Sequence, residues 1–265
     1  MNLPFSKMHG CGNDYVCIDG FKNTVELTPA FVRKLANRHY GIGADGVVLI
    51  APSDEADALM RMFNPDGSES NMCGNAIRCT AKYVYEAGYA TQKEMKIETR
   101  SGIKPICVTV EDNQVTHAMV NMGQAAFSSD SLELNGTSHL FTRVDMGNPH
   151  AVFFCDDVDN FPVAEMGKQI EMHPAFPRRT NVEFAQITGK NKLKLRVWER
   201  GAGETLACGT GTCAAAVAAV ENGFCDENTD IAVTLRGGEL TICYTRDRVT
   251  MHGECIFVFN GVIAI

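Results

Sequence analysis

An offset of 135 residues recurs along this chain of 265 residues. Gly12-Asn13 returns as Gly147-Asn148, Cys73-Gly74 as Cys208-Gly209, Glu86-Ala87-Gly88 as Glu221-Asn222-Gly223, and Gly102 as Gly237. Isolated identities arise at any offset. These fall at glycine turns, helix ends and a Cys-Gly pair, the positions where backbone geometry dictates residue type. A duplicated chain has few ways to fold, because each half must close its own core with the same parts, and the length suits two modest domains. The expected division is 1–117 for the first half, completed by the C-terminal segment 254–265, and 118–253 for the second.

Hydrophobic patterning gives the halves matching elements. Tyr15–Ile18 and Ala151–Phe154 are short apolar strands after a Gly-Asn turn, and Val47–Ile50 and Leu193–Trp198 are further strands. After each Cys-Gly comes a helix, roughly Ala76–Ala87 and Thr212–Asn222, with Gly88 and Gly223 as stop signals. The run Ala214–Val220 is apolar on every side, so its helix must be buried. Strands follow at Met95–Thr99, Ile106–Val110, Ile231–Leu235 and Leu240–Tyr244, and Met172–Pro177 reads as a surface loop. The fold class is therefore α+β: two pseudo-symmetric halves, each a mostly antiparallel curved sheet around a central helix.

Composition removes whole classes of function. With 45% apolar and 21% charged residues the chain is an ordinary globular protein. A net charge of −8 argues against nucleic acid as a partner. No apolar run reaches membrane-spanning length and the first residues lack a signal-peptide core, which points to a cytoplasmic protein with no membrane partner. A secreted disulfide scaffold would be shorter, with an even and denser set of cysteines, so the 11 here read as reduced thiols in a reducing compartment.

Two of those thiols stand apart. Cys73 and Cys208 precede a glycine and a helix at the same point of each repeat, where unpaired N–H groups and the helix dipole favour thiolates and bind anions. Cys17, Cys107, Cys155 and Cys243 lie inside strand-like runs and read as packing residues. Two chemically alike acid–base groups from two alike halves suit inversion of a stereocentre: one removes a proton from one face of a carbon and the other returns a proton to the opposite face. The helix N-termini would stabilise the carboxylate of the carbanion between those steps. Nearby, Arg200 could clamp a carboxylate and Glu199 could pair an ammonium group, while His150, which corresponds to Tyr15, could tune a thiol. The partner these residues fit is a small amino acid.

The run Asn64-Pro65-Asp66-Gly67-Ser68, then Cys73-Gly74-Asn75-Ala76-Ile77-Arg78, resembles the signature of the diaminopimelate epimerases. Met8–Tyr15, Gly147-Asn148-Pro149-His150, Trp198–Thr205 and Ala207–Gly211 are similar to that family's other motifs, so the resemblance spans essentially the whole chain. It implies epimerisation of LL- to meso-2,6-diaminopimelate without a cofactor or metal, in lysine and peptidoglycan-precursor synthesis, by a homodimer. It implies Cys73 and Cys208 as alternating acid and base, supported by His150 and Glu199. It further implies that Asn13, Asn64, Asn148, Asn181, Glu199 and Arg200 hold the substrate, largely its distal end, and that Gly74-Asn75 and Gly209-Thr210 cradle the reacting carboxylate. One position departs: many members carry glutamine where this chain has Gly46, so that contact is expected to be missing or replaced.

Other readings are weaker. A racemase of histidine or proline type would share the fold and the thiol pair, but the distal-end set Asn64, Asn148, Asn181 and Arg200 favours diaminopimelate. Gly209-Thr210-Gly211-Thr212-Cys213-Ala214 fits the loose dinucleotide pattern G-x-G-x-x-A, yet nine residues separate Trp198 from Cys208 and no acidic residue ends a second strand at the required distance. A zinc site would need close cysteine pairs; Cys73/Cys79 and Cys208/Cys213 have five and four residues between them and no clustered histidines. A non-enzymatic binding module would have no need of paired thiols.

Overall fold

The computed structural model describes residues 2–264. The chain divides into two compact units, Met1–Val120 with Gly253–Ile265, and Asn121–His252.

The first unit opens with β1 (Asn2–Gly10) and β2 (Asn13–Asp19), followed by α1 (Pro29–Ala36), β3 (Gly46–Ala51), β4 (Ala58–Phe63) and the short β5 (Glu69–Ser70). Helix α2 (Gly74–Glu86) then leads to β6 (Glu94–Thr99), β7 (Gly102–Glu111) and β8 (Gln114–Gly123). Strand β2 lies antiparallel to β1 and parallel to β3. Strand β4 lies antiparallel to β3 and parallel to β6, and β6 and β7 form a hairpin. Helix α2 is buried along nearly its whole length, as a helix at the centre of a sheet must be. Its end is set by Gly88, whose φ of +75° suits a residue without a Cβ, and by Tyr89 N–H reaching back to the Val84 carbonyl at 3.0 Å.

In the second unit β9 (Ala126–Leu134), β10 (Thr137–Asp145) and β11 (Pro149–Phe154) precede α3 (Val163–Glu171). Next come β12 (Asn181–Gly189), β13 (Lys192–Glu199), β14 (Gly203–Thr205), α4 (Gly209–Glu221), β15 (Asp230–Leu235), β16 (Gly238–Thr245) and β17 (Arg248–Glu254). Finally β18 (Ile256–Ala264) pairs antiparallel with β1, which places it in the first unit. Pairings repeat those above: β11 antiparallel to β10 and parallel to β12, β13 antiparallel to β12 and parallel to β15, β15 with β16. Strand β9 stands beside β10 as β18 stands beside β1.

Even the register is duplicated. Tyr15 faces Gly46 across β2 and β3, and His150 faces Asn181 across β11 and β12, each 135 residues later. Val47 faces Phe63 as Val182 faces Trp198. The helices keep the offset, Gly74–Glu86 against Gly209–Glu221, and Phe224 N–H bonds the Ala219 carbonyl at 2.8 Å just as Tyr89 bonds Val84. Beyond them it changes by one residue. Thr99 faces Gly102 where Leu235 faces Gly238, and both glycines have positive φ, so Gly102 corresponds to Gly238 and not to Gly237. One added residue in the connection after α4 accounts for the slip.

Each unit also has a second, shorter helix that the sequence reading does not contain. Helix α1 is capped by Thr28, whose Oγ accepts from Phe31 N–H at 3.3 Å, with proline at its start. It packs Val32, Leu35 and Ala36 onto Leu3, Val16, Ile18 and Val47. Helix α3 packs Val163 and Ile170 onto Phe153, Val182 and Phe184. It approaches closely because residue 167 is glycine: a Cβ there would lie 2.5 Å from Trp198. The stretch Met172–Pro177 is irregular, as expected of a loop, but Phe176 is buried against Phe141 with ring centroids 5.5 Å apart. Burying such a ring stabilises by about 1.5–3 kcal/mol, which anchors the loop. Among the described residues no helix is long and apolar enough to cross a membrane.

Candidate active site

Cys73 and Cys208 are the N-cap residues of α2 and α4. Both have extended backbones, and each carbonyl accepts the first helical bond, from Ile77 N–H at 3.0 Å and Thr212 N–H at 2.9 Å. Neither side chain caps its helix. The first-turn N–H groups are therefore left for an anion, and the sulfur sits beside the positive end of the helix dipole.

In the first unit Cys73 is half-buried and its sulfur lies 3.1 Å from the Tyr15 hydroxyl. Burial, and then the adjacent thiol, push the Tyr15 phenol well above its ordinary value, so it stays protonated and can donate to a thiolate. Gly74 and Asn75 begin α2, and the Asn75 side chain is buried with its Oδ1 accepting from Arg78 Nη2 at 3.0 Å. Asn64 ends the β4 hairpin with Nδ2 donating to Ser68 Oγ at 3.0 Å, and Asn13 starts β2, partly exposed. Gly46 has no room for a side chain, since a Cβ would lie 2.8 Å from Met62 Cε and 2.9 Å from the Phe63 carbonyl oxygen.

In the second unit the expected residues are drawn together. Cys208 is buried, and its sulfur lies 3.5 Å from Thr210 Oγ1. Asn148 Nδ2 donates to that hydroxyl at 3.3 Å, and Asn148 Oδ1 lies 3.1 Å from His150 Nε2. His150 is fully buried and its Nδ1 is 2.7 Å from Glu183 Oε1. His150 thus engages Asn148 and Glu183, and reaches Cys208 only through them. Asn181 is a positioning hub: Nδ2 donates to the Pro149 carbonyl and Oδ1 accepts from Arg200 N–H, each at 3.0 Å. The exposed Arg200 guanidinium reaches the Arg178 carbonyl at 3.3 Å. Glu199 accepts from Thr205 Oγ1 at 2.5 Å and is a neighbour of Cys208.

Electrostatics follow from this packing. Burial, then Glu199, then Glu183 push the Cys208 thiol well above its ordinary value, only partly offset by Thr210 Oγ1 and the Gly211 N–H. Burial likewise raises Glu199, with Thr205 opposing it. Glu183 is fully buried with Oε2 unpartnered among the described residues, a placement that costs about 1–3 kcal/mol.

Tyr15, Thr205 and Glu183 are polar contacts to which the sequence reading gives no role. Tyr15 is legible in retrospect as the counterpart of His150. Glu183 carries its own signal, a carboxylate inside the buried run Asn181–Ala185. The remaining cysteines near the thiols, Cys79 and Cys213, are fully buried on α2 and α4.

Solved structures share this architecture. A phenazine biosynthesis protein of the PhzF family from Bacillus anthracis superposes with a TM-score of 0.77 at 17% identity, over all of both chains. A hydroxyproline epimerase from Agrobacterium vitis superposes with a TM-score of 0.76 at 13% identity, over 100% of this chain and 93% of that one. At such identities the likeness defines the class of fold, two duplicated α+β units. Sequence narrows it further: the family model for diaminopimelate epimerase matches residues 5–128 and 142–258. Curated diaminopimelate epimerases from Desulfovibrio desulfuricans and Acetivibrio thermocellus are 45% and 44% identical, each over 98% of this chain and 97% and 98% of the relative. One from Methanococcus maripaludis is 43% identical over 99% of this chain and 100% of its own. The chain belongs to the diaminopimelate epimerase family and is an isomerase of the epimerase kind.

Proposed function

We propose that the protein inverts one α-carbon of LL-2,6-diaminopimelate to give the meso isomer, supplying lysine and peptidoglycan-precursor synthesis in the cytoplasm, and that it works as a homodimer. The observation that carries this reading is the duplicated thiol: Cys73 and Cys208 are both N-cap residues of buried helices, and neither side chain caps its helix.

One thiolate takes the α-hydrogen as a proton, forming its S–H bond and leaving the C–H electron pair on carbon. The pair delocalises into the adjacent carboxylate, whose negative charge the N–H groups of Gly74-Asn75 and Gly209-Thr210 would stabilise. The second thiol gives its proton to the opposite face and becomes the thiolate. Reversal exchanges the roles. Because burial and two carboxylates hold the Cys208 proton in place, the resting enzyme presents Cys208 as the acid. Asn13, Asn64, Asn148, Asn181, Glu199 and Arg200 are the groups that would hold the zwitterionic distal end. The chemistry calls for no cofactor or metal, since the charge it develops is met by backbone N–H groups.

Solvent deuterium incorporation at Cα tests the reading, with LL-diaminopimelate, L-histidine and L-proline run side by side. Label in diaminopimelate alone is expected. Label confined to histidine or proline overturns the substrate assignment and makes the protein a racemase of another amino acid.

A further inference from the structure

The second unit contains a continuous line of polar contacts that ends on Cys208. Glu183 Oε1 lies 2.7 Å from His150 Nδ1, His150 Nε2 lies 3.1 Å from Asn148 Oδ1, Asn148 Nδ2 lies 3.3 Å from Thr210 Oγ1, and Thr210 Oγ1 lies 3.5 Å from Cys208 Sγ. We propose that Glu183 is a positioning residue for Cys208, acting through His150, Asn148 and Thr210 to hold the Thr210 hydroxyl as a donor to the sulfur. The proposal rests on the reading of Cys208 as an acid–base thiol.

Hydrogen-bond direction supplies the argument. Asn148 accepts at Oδ1 and donates from Nδ2, so His150 Nε2 must carry a proton. A second proton then lies in the short contact between His150 Nδ1 and Glu183. Thr210 receives the Asn148 donor on its oxygen, which leaves its own hydrogen for Cys208, the orientation that stabilises a thiolate. Without the carboxylate the imidazole keeps one proton and places it on Nδ1 or Nε2, and the Nδ1 form turns the Asn148 amide over. Thr210 then donates to Asn148, and Cys208 loses its donor.

The other unit shows that packing alone does not demand Glu183. Its register partner there is Val48, which faces Cys17 as Glu183 faces Val152. The sequence position matching Gly211 is Ala76, and at Gly211 a Cβ would lie 2.6 Å from Glu183 Oε1. The second unit thus keeps a buried carboxylate, and omits a helix methyl to make space for it, only where this chain of contacts exists.

Glu183 also acts on Cys208 directly through its charge, as does Glu199. A double-mutant cycle separates that route from the proposed one. Cys208 alkylation by iodoacetamide is followed across pH by peptide mass spectrometry in wild type, Glu183→Gln, Thr210→Val and the double variant. Cys73 alkylation in the same samples reports on the fold. Action through Thr210 makes the Glu183→Gln effect differ at least about threefold between the two backgrounds, and Thr210→Ser restores the wild-type response. Additive effects, or no effect of Glu183→Gln on Cys208, overturn the proposal. Should Glu183→Gln fail to fold, His150→Asn breaks the chain with the carboxylate retained and must show the same dependence on Thr210. Loss of thiol-dependent turnover is read separately with Cys208→Ala, so the proposal and the assigned reaction fail by different results.

Discussion

The two units hold the same thiol in opposite surroundings. Cys73 has a neutral phenol at 3.1 Å and stands half-exposed, whereas Cys208 is buried beside two carboxylates and a hydroxyl. Strand order, register and helix caps are nearly superimposable in sequence, so the difference comes from few substitutions on a common frame. Tyr15 corresponds to His150, Val48 to Glu183, Asn64 to Glu199 and Ala76 to Gly211. Duplication supplies the two like groups that inversion of a stereocentre needs. Divergence at these positions gives them different neighbours: a phenol at Cys73, carboxylates and a hydroxyl at Cys208.

If the thiols differ in environment but share the work, removing either must be equally damaging. Cys73→Ala and Cys208→Ala are each expected to lower kcat/KM for diaminopimelate by about 10²–10⁴-fold, the range of a lost acid–base group. A variant retaining near-normal turnover would break the equivalence of the halves. Next in size is a methyl group in the two helices. Gly211→Ala places a Cβ 2.6 Å from Glu183 Oε1, and overpacking of this kind costs about 1–3 kcal/mol. The reciprocal Ala76→Gly costs about 0.5–1 kcal/mol through backbone entropy and about 0.8 kcal/mol more for the buried methyl it deletes. Urea unfolding of Gly211→Ala checks the clash; an undiminished stability would mean that Glu183 yields freely.

How much of this was legible in the sequence follows from where the information sits. The paired Cys-Gly motifs locate both helix starts to within three residues, because glycines and caps encode local geometry. Helices α1 and α3, of 8 and 9 residues, are too short to carry a strong hydrophobic period, although Thr28-Pro29 is a start signal. In the second unit the expected residues Asn148, Thr210 and Cys208 do form one hydrogen-bonded set, while Glu183 joins it only through tertiary contact. A strand residue surrounded by apolar neighbours announces that it is buried, but not what it faces.

Tyr15→Phe sharpens the comparison from the side of Cys73. It removes the hydroxyl 3.1 Å from the sulfur and leaves the packing of a fully buried ring intact. The lost bond is worth about 1 kcal/mol, so a several-fold fall in the rate of Cys73 alkylation at neutral pH is expected, with Cys208 unchanged. Unaltered Cys73 reactivity would mean that the phenol only fills space.

Glu199→Gln gives the smallest effect and tests the other side. The Glu199 carboxylate raises the Cys208 thiol, after burial and ahead of Glu183, so neutralising it lowers that value and favours the thiolate. Cys208 alkylation at neutral pH should rise a few-fold while Cys73 stays the same. Stability gives an independent check on sign. Burial raises the Glu199 carboxyl in the fold, so the native state prefers it protonated. Its contribution is fully present below the ordinary carboxylate range and is lost as pH rises through the folded value. The variant, which cannot ionise, should therefore gain stability over wild type between mildly acidic and neutral pH, and that gain should vanish in acid. A gain that persists in acid would assign the effect to packing, and slower alkylation of Cys208 would show that Glu199 helps the thiolate where the geometry has it opposing.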